Sequence, residues 1–462
     1  MQYKHRCAAL LVSVACAFAA STPSLRAMTL EQALVNAYFA NPTMNAQRAA
    51  TRVVDEQVPQ ALSGYRPKIY GNGEWGIDRI RTRNSVTGIN TGNTNPYGYG
   101  ATVSQNLFNG FQTGNLTRSA ESQVLSARET LRNTEQNVLL DAVTAYMNVL
   151  RDSAIVQLQQ QNLAALNEQL RATRDRFQAG ELTRTDVAQS QARVAQAESA
   201  LSAANANLNA SRAAFRRDIG VDPQSLMPAR PYEKFKFNSM DAAIAQGFGD
   251  HPAIMAARHG VDVASLQVKV AEGALLPTVN LEASVQNFHE PSAGIDRSFN
   301  ASGAVRVTVP IYQGGAEYSR VRQAKELAGQ RRLESDIARD QVRAAVIQSW
   351  SLVAASRFQV EAAQAQVQAA EIALNGVREE YKVGQRTTLD VLNAQAELVN
   401  ARVALVTAQR DRVVASYSLL SSIGSLSLVH LKLADQAQTY KPEVHYEQVR
   451  DSWFGLRTPD GK

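Results

Sequence analysis

Phe177 to Ala192 reads FQAGELTRTDVAQSQA, and Tyr381 to Ala396 reads YKVGQRTTLDVLNAQA. At an offset of 204 the two share Gly180 with Gly384, Thr183 with Thr387, Asp186 with Asp390 and Val187 with Val391. Each stretch is a helix end, a glycine that tolerates positive φ, and a Thr-x-x-Asp start to a second helix. On either side of each turn an apolar residue recurs every seven positions. Before the first turn these are Val149, Val156, Leu163, Leu170 and Phe177, and after it Val187, Val194, Leu201, Leu208 and Phe215. Before the second they are Val353, Val360, Val367, Leu374 and Tyr381; after it Val391, Leu398, Leu405 and Leu419, with Arg412 breaking the series. A period of seven held this long predicts supercoiled antiparallel helix pairs, where an ordinary amphipathic helix on a globular core would need only two turns of it.

Working outward, the whole chain repeats. Leu30 to Arg48 aligns with Met240 to Arg258, placing Pro42 on Pro252, and Ile219-Gly220 falls on Ile423-Gly424. The order within each unit is helix, strand, strand, long helix, helix, and the first unit has the longer loop between its strands. Proline is absent from Phe111 to Asp222 and from Ile311 to Lys441, so both spans can run as unbroken helix. Phe111 to Gln178 predicts about 100 Å of helix and Leu30 to Leu62 about 50 Å, so two short helices end to end match one long one. The expected divisions are a signal peptide at 1–27, a first repeat at 28–220, a linker at 221–239, a second repeat at 240–424 and a C-terminal segment at 425–462.

Each predicted strand alternates. Phe299, Ala301, Gly303, Val305 and Val307 share one face, against Asn300, Ser302, Arg306 and Thr308; Val279, Leu281, Ala283 and Val285 stand against Asn280, Glu282, Ser284 and Gln286. Ile69, Trp75, Ile77, Tyr97, Tyr99 and Val103 form the apolar set of the first unit. About 10 residues is the length a tilted strand needs to cross an outer membrane, though a soluble hairpin packed on helices shares the pattern. Four strands cannot close a barrel, since closure takes about eight or more and open edges are not tolerated in lipid. Three chains would supply twelve. The expected fold is therefore mostly α, with a small β part: a trimeric twelve-stranded transmembrane barrel continuous with a long antiparallel coiled-coil tunnel.

Composition narrows the function. Lys4 and Arg6, an apolar run from Ala8 to Ala20 and small residues to Ala27 form a secretory signal, too short to span about 30 Å of hydrocarbon. Removing it takes Lys4, Arg6 and Arg26, so the formal charge drops from +6 to +3, which disfavours a nucleic-acid binder. Cys7 and Cys16 both lie in the signal, leaving the mature chain without thiol ligands, nucleophiles or disulfides. Six scattered histidines make no metal pair, and no phosphate loop or nucleophile elbow occurs, so neither an enzyme nor a cofactor site is expected. The remaining rival is a poreless coiled-coil scaffold, which has no use for lipid-length strands.

Signal, duplicated unit and the Tyr381–Asn393 sequence YKVGQRTTLDVLN resemble the TolC family of outer-membrane efflux and type I secretion channels, over roughly residues 29–425. The resemblance implies a homotrimer in outer-membrane lipid with a periplasmic tunnel and gate. It also implies a periplasmic adaptor (membrane fusion) protein and an inner-membrane pump of ABC, RND or MFS type as partners. Carried over, Tyr381 and Arg386 hold the gate, with Thr185 and Asp186 as acceptors; Asp390 and Asn393 form the entrance constriction. Asn393 replaces an acid at the second ring. Gly180, Glu181, Gly384 and Gln385 become adaptor contacts, and residues 221–239 with the C-terminal segment form an equatorial belt. Helix capping alone would also account for Asp186 and Asp390, and a solvated surface charge for Arg386. For Asp390, three copies near one axis would raise the pKa by like-charge repulsion.

Overall fold

The computed structural model describes residues 27–84, 88–235, 237–292, 294–433, 439–459 and 461. The expected signal peptide lies, but for its last residue, outside the described residues. In chain order the elements are α1 Leu30–Ala40, α2 Pro42–Asp55, α3 Gln57–Leu62, β1 Lys68–Trp75, β2 Asp78–Asn84, β3 Gly88–Thr94, β4 Tyr97–Asn109, α4 Gln112–Gln178 and α5 Arg184–Ile219. The second unit follows as α6 Met240–Asp250, α7 Pro252–Gly273, β5 Thr278–Ser292, β6 Ile295–Thr308, α8 Ala316–Lys382 and α9 Thr388–Ser422, with a final α10 Pro442–Val449.

The long helices α4 and α8 each run 67 residues, about 100 Å, as the proline-free spans predict. Each folds back on its shorter partner, and apart from the exposed Phe177 the apolar heptad residues are buried or half-buried. Val194, Leu166, Leu170 and Ala197 form one cluster in the α4/α5 pair; Leu374, Leu398 and Ala401 form its counterpart in α8/α9. Arg412, the break in the heptad, turns outward and donates to Glu233 of the linker at 3.2 Å. The largest core lies midway along the rod, where Tyr146, Phe215, Ile254, Val346 and Leu420 meet Phe237 of the linker and Leu426 and Leu428 of the C-terminal segment. Tyr146 places its hydroxyl 2.8 Å from the Met28 carbonyl and 2.7 Å from that of Met227, and burial pushes its pKa up to about 12.

The helix expected over Leu30–Leu62 is broken. Asn41 is extended (ψ 123°) and caps α2 by accepting from Thr43 N–H at 2.8 Å, with Pro42 in the first helical position. His251 (ψ 121°) does the same before Pro252, accepting at Nδ1 from Ala253 N–H at 3.2 Å. Proline has no N–H to continue the preceding helix, so the chain restarts there. A second break at Glu56 separates α2 from α3. These breaks are the joints where the short helices stack. Asn41 Nδ2 donates to the Asp218 carbonyl at 3.0 Å, docking the end of α5 on the α1/α2 junction, and Gly424 lies against His251 at the α6/α7 junction.

Strands order as β1-β4-β5-β6, all antiparallel, with β1 and β6 at the edges. Val279 pairs with Val307, Leu281 with Val305 and Ala283 with Gly303, so the predicted apolar face is continuous. The opposite face is tied by polar contacts: Ser284 to Ser302 at 2.9 Å, Asn106 to Asn280 at 2.9 Å and Arg306 to Glu282 at 3.5 Å. The longer loop of the first unit forms a hairpin, β2 with β3, which the alternation analysis left as loop.

The two joints generate two predictions. A Cβ on Gly220 (φ +84°) would sit 2.6 Å from the Ala40 Cβ, and on Gly424 (φ +82°) 2.7 Å from the His251 Cα. Either glycine changed to alanine should cost about 1–2 kcal/mol for the left-handed backbone plus the overlap. Ala40→Gly should recover the overlap part for Gly220→Ala, whereas no second-site glycine relieves Gly424→Ala because its obstacle is backbone. Thermal unfolding followed by circular dichroism reads both. At the second joint, burial and then the Arg132 charge lower the His251 pKa to about 4 from 6.5. The unfolded chain therefore takes up the proton first, so stability is full above pH 6.5 and falls as pH drops towards 4. His251→Asn, which copies Asn41, should remove that portion of the pH slope in denaturant titrations.

Candidate functional site: the paired helical tips

The end of the rod away from the sheet carries two turns built by the same local chemistry. At the first, Glu181 N–H donates to the Arg176 carbonyl at 2.9 Å and Gly180 N–H to that of Phe177 at 3.0 Å; Gly180 has φ +81°. At the second, Gln385 N–H reaches Glu380 at 2.9 Å and Gly384 N–H reaches Tyr381 at 3.1 Å, again with φ +81° at the glycine. This pair of bonds closes a helix on a left-handed residue, which is why both positions are glycine. A Cβ at either glycine would meet nothing within 4 Å, so the turns present open surface.

The helix starts are equally matched. Thr183 N–H donates to the Asp186 carboxylate at 3.0 Å while Asp186 N–H donates back to Thr183 Oγ1 at 3.3 Å. Thr387 and Asp390 repeat this at 2.9 and 3.3 Å. Both carboxylates sit below their usual range. For Asp186 the Thr183 hydroxyl is the first cause, with Thr388 contributing; for Asp390 it is the Thr387 backbone N–H, then its hydroxyl, with the Arg386 charge adding. Within one chain the cap thus pulls Asp390 opposite to the direction that threefold repulsion predicts.

The two turns differ in the residues around the caps. Glu380 occupies the place of Arg176, and Arg386 that of Leu182. Arg386 Nε donates to Glu380 at 2.7 Å across the second turn, and its own pKa is raised by that bond. The partner of Arg386 inside the chain is therefore Glu380, not the expected Thr185 or Asp186. Thr185 is exposed, and Asp186 is held in its cap. The first turn carries the reversed pair, Arg176 to Glu181, at 3.9 Å.

Several contacts join the two tips, among them the Asp186 carboxylate with the Thr388 hydroxyl. Leu392 of α9, 1% exposed, seats among Leu166, Leu170, Val194 and Ala197 of the other pair. The Arg176 guanidinium lies 5.4 Å over the Tyr381 ring, and within the second pair the Tyr381 hydroxyl is 3.4 Å from that of Thr388. Arg193 donates to Asn393 at 2.7 Å, and Gln395 to Asn162 at 3.3 Å. Gln159, Gln196, Asn162, Arg193 and Gln395 border a groove of about 210 Å³ between the pairs. Sequence reasoning named Tyr381 and Asn393 but missed Arg176, Arg193, Glu380 and Leu392. The signal that could have found Glu380 is the offset of 204, which sets it opposite Arg176 with the charge reversed. The Arg193–Asn393 bond thus gives the Asn393 amide oxygen a cationic partner on the other helix pair. Among the described residues no cluster of acids, histidines or cysteines could hold a metal, and no helix is long and apolar enough to cross a membrane.

The sequence profile of the outer membrane efflux protein family matches residues 29–221 and 246–425. The chain is similar to the outer membrane efflux protein BepC of Brucella suis, 46% identical over 436 residues, covering 94% of this chain and 93% of that protein. It is 25% identical to the outer membrane protein TolC of Escherichia coli over 449 residues, covering 92% and 88%. The solved Campylobacter jejuni CmeC outer membrane channel superposes with a TM-score of 0.77 at 16% identity, covering 91% of this chain and 89% of that one.

The caps give a pH prediction. The folded pKa of Asp390 lies below its ordinary 3.8, so the cap's contribution is fully present above that value and is lost as pH falls through the lower folded value. Hydrogen exchange of the first-turn amides of α9 should be protected at neutral pH and lose protection only in strong acid. Asp390→Asn should remove the charge-dependent part at every pH, and Asp186→Asn should do the same for α5.

Proposed function

Since the chain belongs to the outer membrane efflux protein family, we propose that three copies close their sheets into one barrel and their helices into one tunnel, the outer-membrane exit duct of a tripartite efflux or type I secretion system. The observation that carries this is the four-stranded sheet with an apolar face, a polar face and two unpaired edges. Joining β6 of one copy to β1 of the next supplies twelve strands, satisfies the edge backbone and leaves the polar face, with Glu282 and Arg306, lining a water-filled lumen. The protein resides in the outer membrane with its helices in the periplasm. The family is one of channels, and conduction here is passive, with energy and selectivity supplied by an inner-membrane pump of ABC, RND or MFS type.

The tips form the gate. The α8/α9 pair is held on α4/α5 mainly by Leu392, since burying a leucine contributes about 1.5–3 kcal/mol whereas each exposed polar contact contributes roughly 0–1 kcal/mol. Opening rotates α8/α9 outward, drawing Leu392 from its pocket and releasing Arg193 from Asn393. Tyr381, Arg386, Thr185 and Asp186 set the closed position, and in the trimer Asp390 and Asn393 narrow the entrance. The exposed turns Gly180-Glu181 and Gly384-Gln385 meet the periplasmic adaptor. Cargo is small toxic compounds, secreted protein or both.

Planar-bilayer conductance of the purified trimer tests the gate. Wild type should give low stepwise conductance, and Arg386→Ser should raise it several-fold. Glu380→Gln should match Arg386→Ser if the pair within the turn is the latch. A rise confined to Arg386→Ser would assign the latch to Thr185 and Asp186 of a neighbouring copy. Identical conductance in all three would reduce these residues to helix-end chemistry.

A further inference from the structure

The hairpin β2/β3 continues the barrel ladder without a slip. Trp75 pairs with Tyr97, Gly76 N–H donates to the Pro96 carbonyl at 2.8 Å, and the register resumes at Asp78 with Thr94 and runs to Asn84 with Gly88. The two numbers of every pair sum to one constant, so no residue is inserted and the alternation of faces carries through. The face that bears Ile69, Trp75 and Tyr97 in the barrel, apolar and directed at lipid, therefore bears Arg79, Arg81 and Arg83 beyond it.

All three arginines are exposed, and among the described residues none forms an ion pair. Asp78 stands on the other face, and the Glu290 carboxylate is engaged by Asn95 N–H at 3.2 Å. Arg79 lies about 13 Å beyond Trp75 along the strand and Arg83 about 13 Å further. At the level of Trp75, on the neighbouring strands, His289 stacks on Tyr97 with ring centres 4.6 Å apart and pairs with Arg297 in the ladder. Aromatic rings mark the boundary of the hydrocarbon, and the charged groups of the lipid lie just outside it. The hairpin is at the end of the sheet away from the helices, hence at the outer leaflet.

We propose that Arg79, Arg81 and Arg83 form a phosphate-binding ladder for the headgroups of phosphorylated glycolipid in the outer leaflet. The guanidinium fork matches phosphate oxygens two at a time, and three forks on alternate residues follow the depth of a headgroup layer. The ladder orients the barrel in the leaflet and seals its rim on the side where the first unit carries its hairpin. This rests on the barrel reading of the sheet.

The test titrates purified trimer in phosphatidylcholine nanodiscs with lipid A, with lipid A stripped of its phosphates, and with inorganic phosphate. The comparison protein carries Arg79→Gln, Arg81→Gln and Arg83→Gln together. Each arginine near an anionic surface contributes about fivefold, so wild type should bind phosphorylated lipid A on the order of 100-fold more tightly than the triple variant does. It should bind the dephosphorylated lipid no better than the variant. Equal affinity in wild type and variant, or indifference to the phosphates, overturns the proposal. Displacement of the lipid by millimolar inorganic phosphate overturns it too, assigning the ladder to soluble anions. Trimer recovery and unchanged planar-bilayer conductance confirm that the variant folds. Failure of the wild type to insert or conduct would be failure of the barrel itself, separate from the lipid result.

Discussion

The backbone of β1 and β6 is the constraint on which the architecture depends. Each edge strand presents a row of N–H and C=O groups that lipid cannot satisfy. A sheet of four strands has no internal way to close, so the unmet hydrogen bonds of one copy have to be met by the next. Threefold closure then fixes the rest: one face of every strand turns to lipid, the other to a lumen, and the helices that leave the strands line up around the same axis. A tube follows from an edge problem.

The rod below the sheet is stabilised in a different way along its length. Far from the middle the helix pairs hold only heptad clusters, Leu166 with Val194 or Leu374 with Leu398, each a few residues wide. Near the middle the short helices meet end to end, and there the core widens to include the linker and the C-terminal segment. The joints need that support because an extended residue before a proline leaves the helix ladder interrupted. Asn41 and His251 answer the interruption with the same geometry and different chemistry, one amide and one imidazole kept neutral by burial.

At the tips, duplication separates what is structural from what is specialised. Glycine turns and Thr-x-x-Asp caps are identical in both copies, as local helix-end chemistry requires. What differs is the charge around them: Arg176 against Glu380, Leu182 against Arg386 and Gln189 against Asn393. Those asymmetric positions make the Arg176–Tyr381, Arg386–Glu380 and Arg193–Asn393 contacts. Asp390, the acid expected at the entrance, is held first by the cap of its own helix.

The sequence by itself determined the repeat, the helix pairs, the strand faces and the position of both turns. Each of these rests on a local period, seven for Val149 to Phe177, two for Phe299 to Val307, that neighbouring residues impose without reference to distant ones. Only the tertiary structure decided the partners. Arg386 turned to Glu380 because the turn folds them to 2.7 Å, and Arg193 reached Asn393 across 200 residues of chain. The Leu30–Leu62 helix broke at Asn41-Pro42 because proline has no N–H to continue it, but that the end of α5 docks on this break is something an apolar pattern cannot reveal. Likewise, Arg79, Arg81 and Arg83 alternate visibly in the sequence, but their face was set by an unbroken register through Gly76 and Pro96. Periodicity is a property of one segment, whereas pairing is chosen by the space between two.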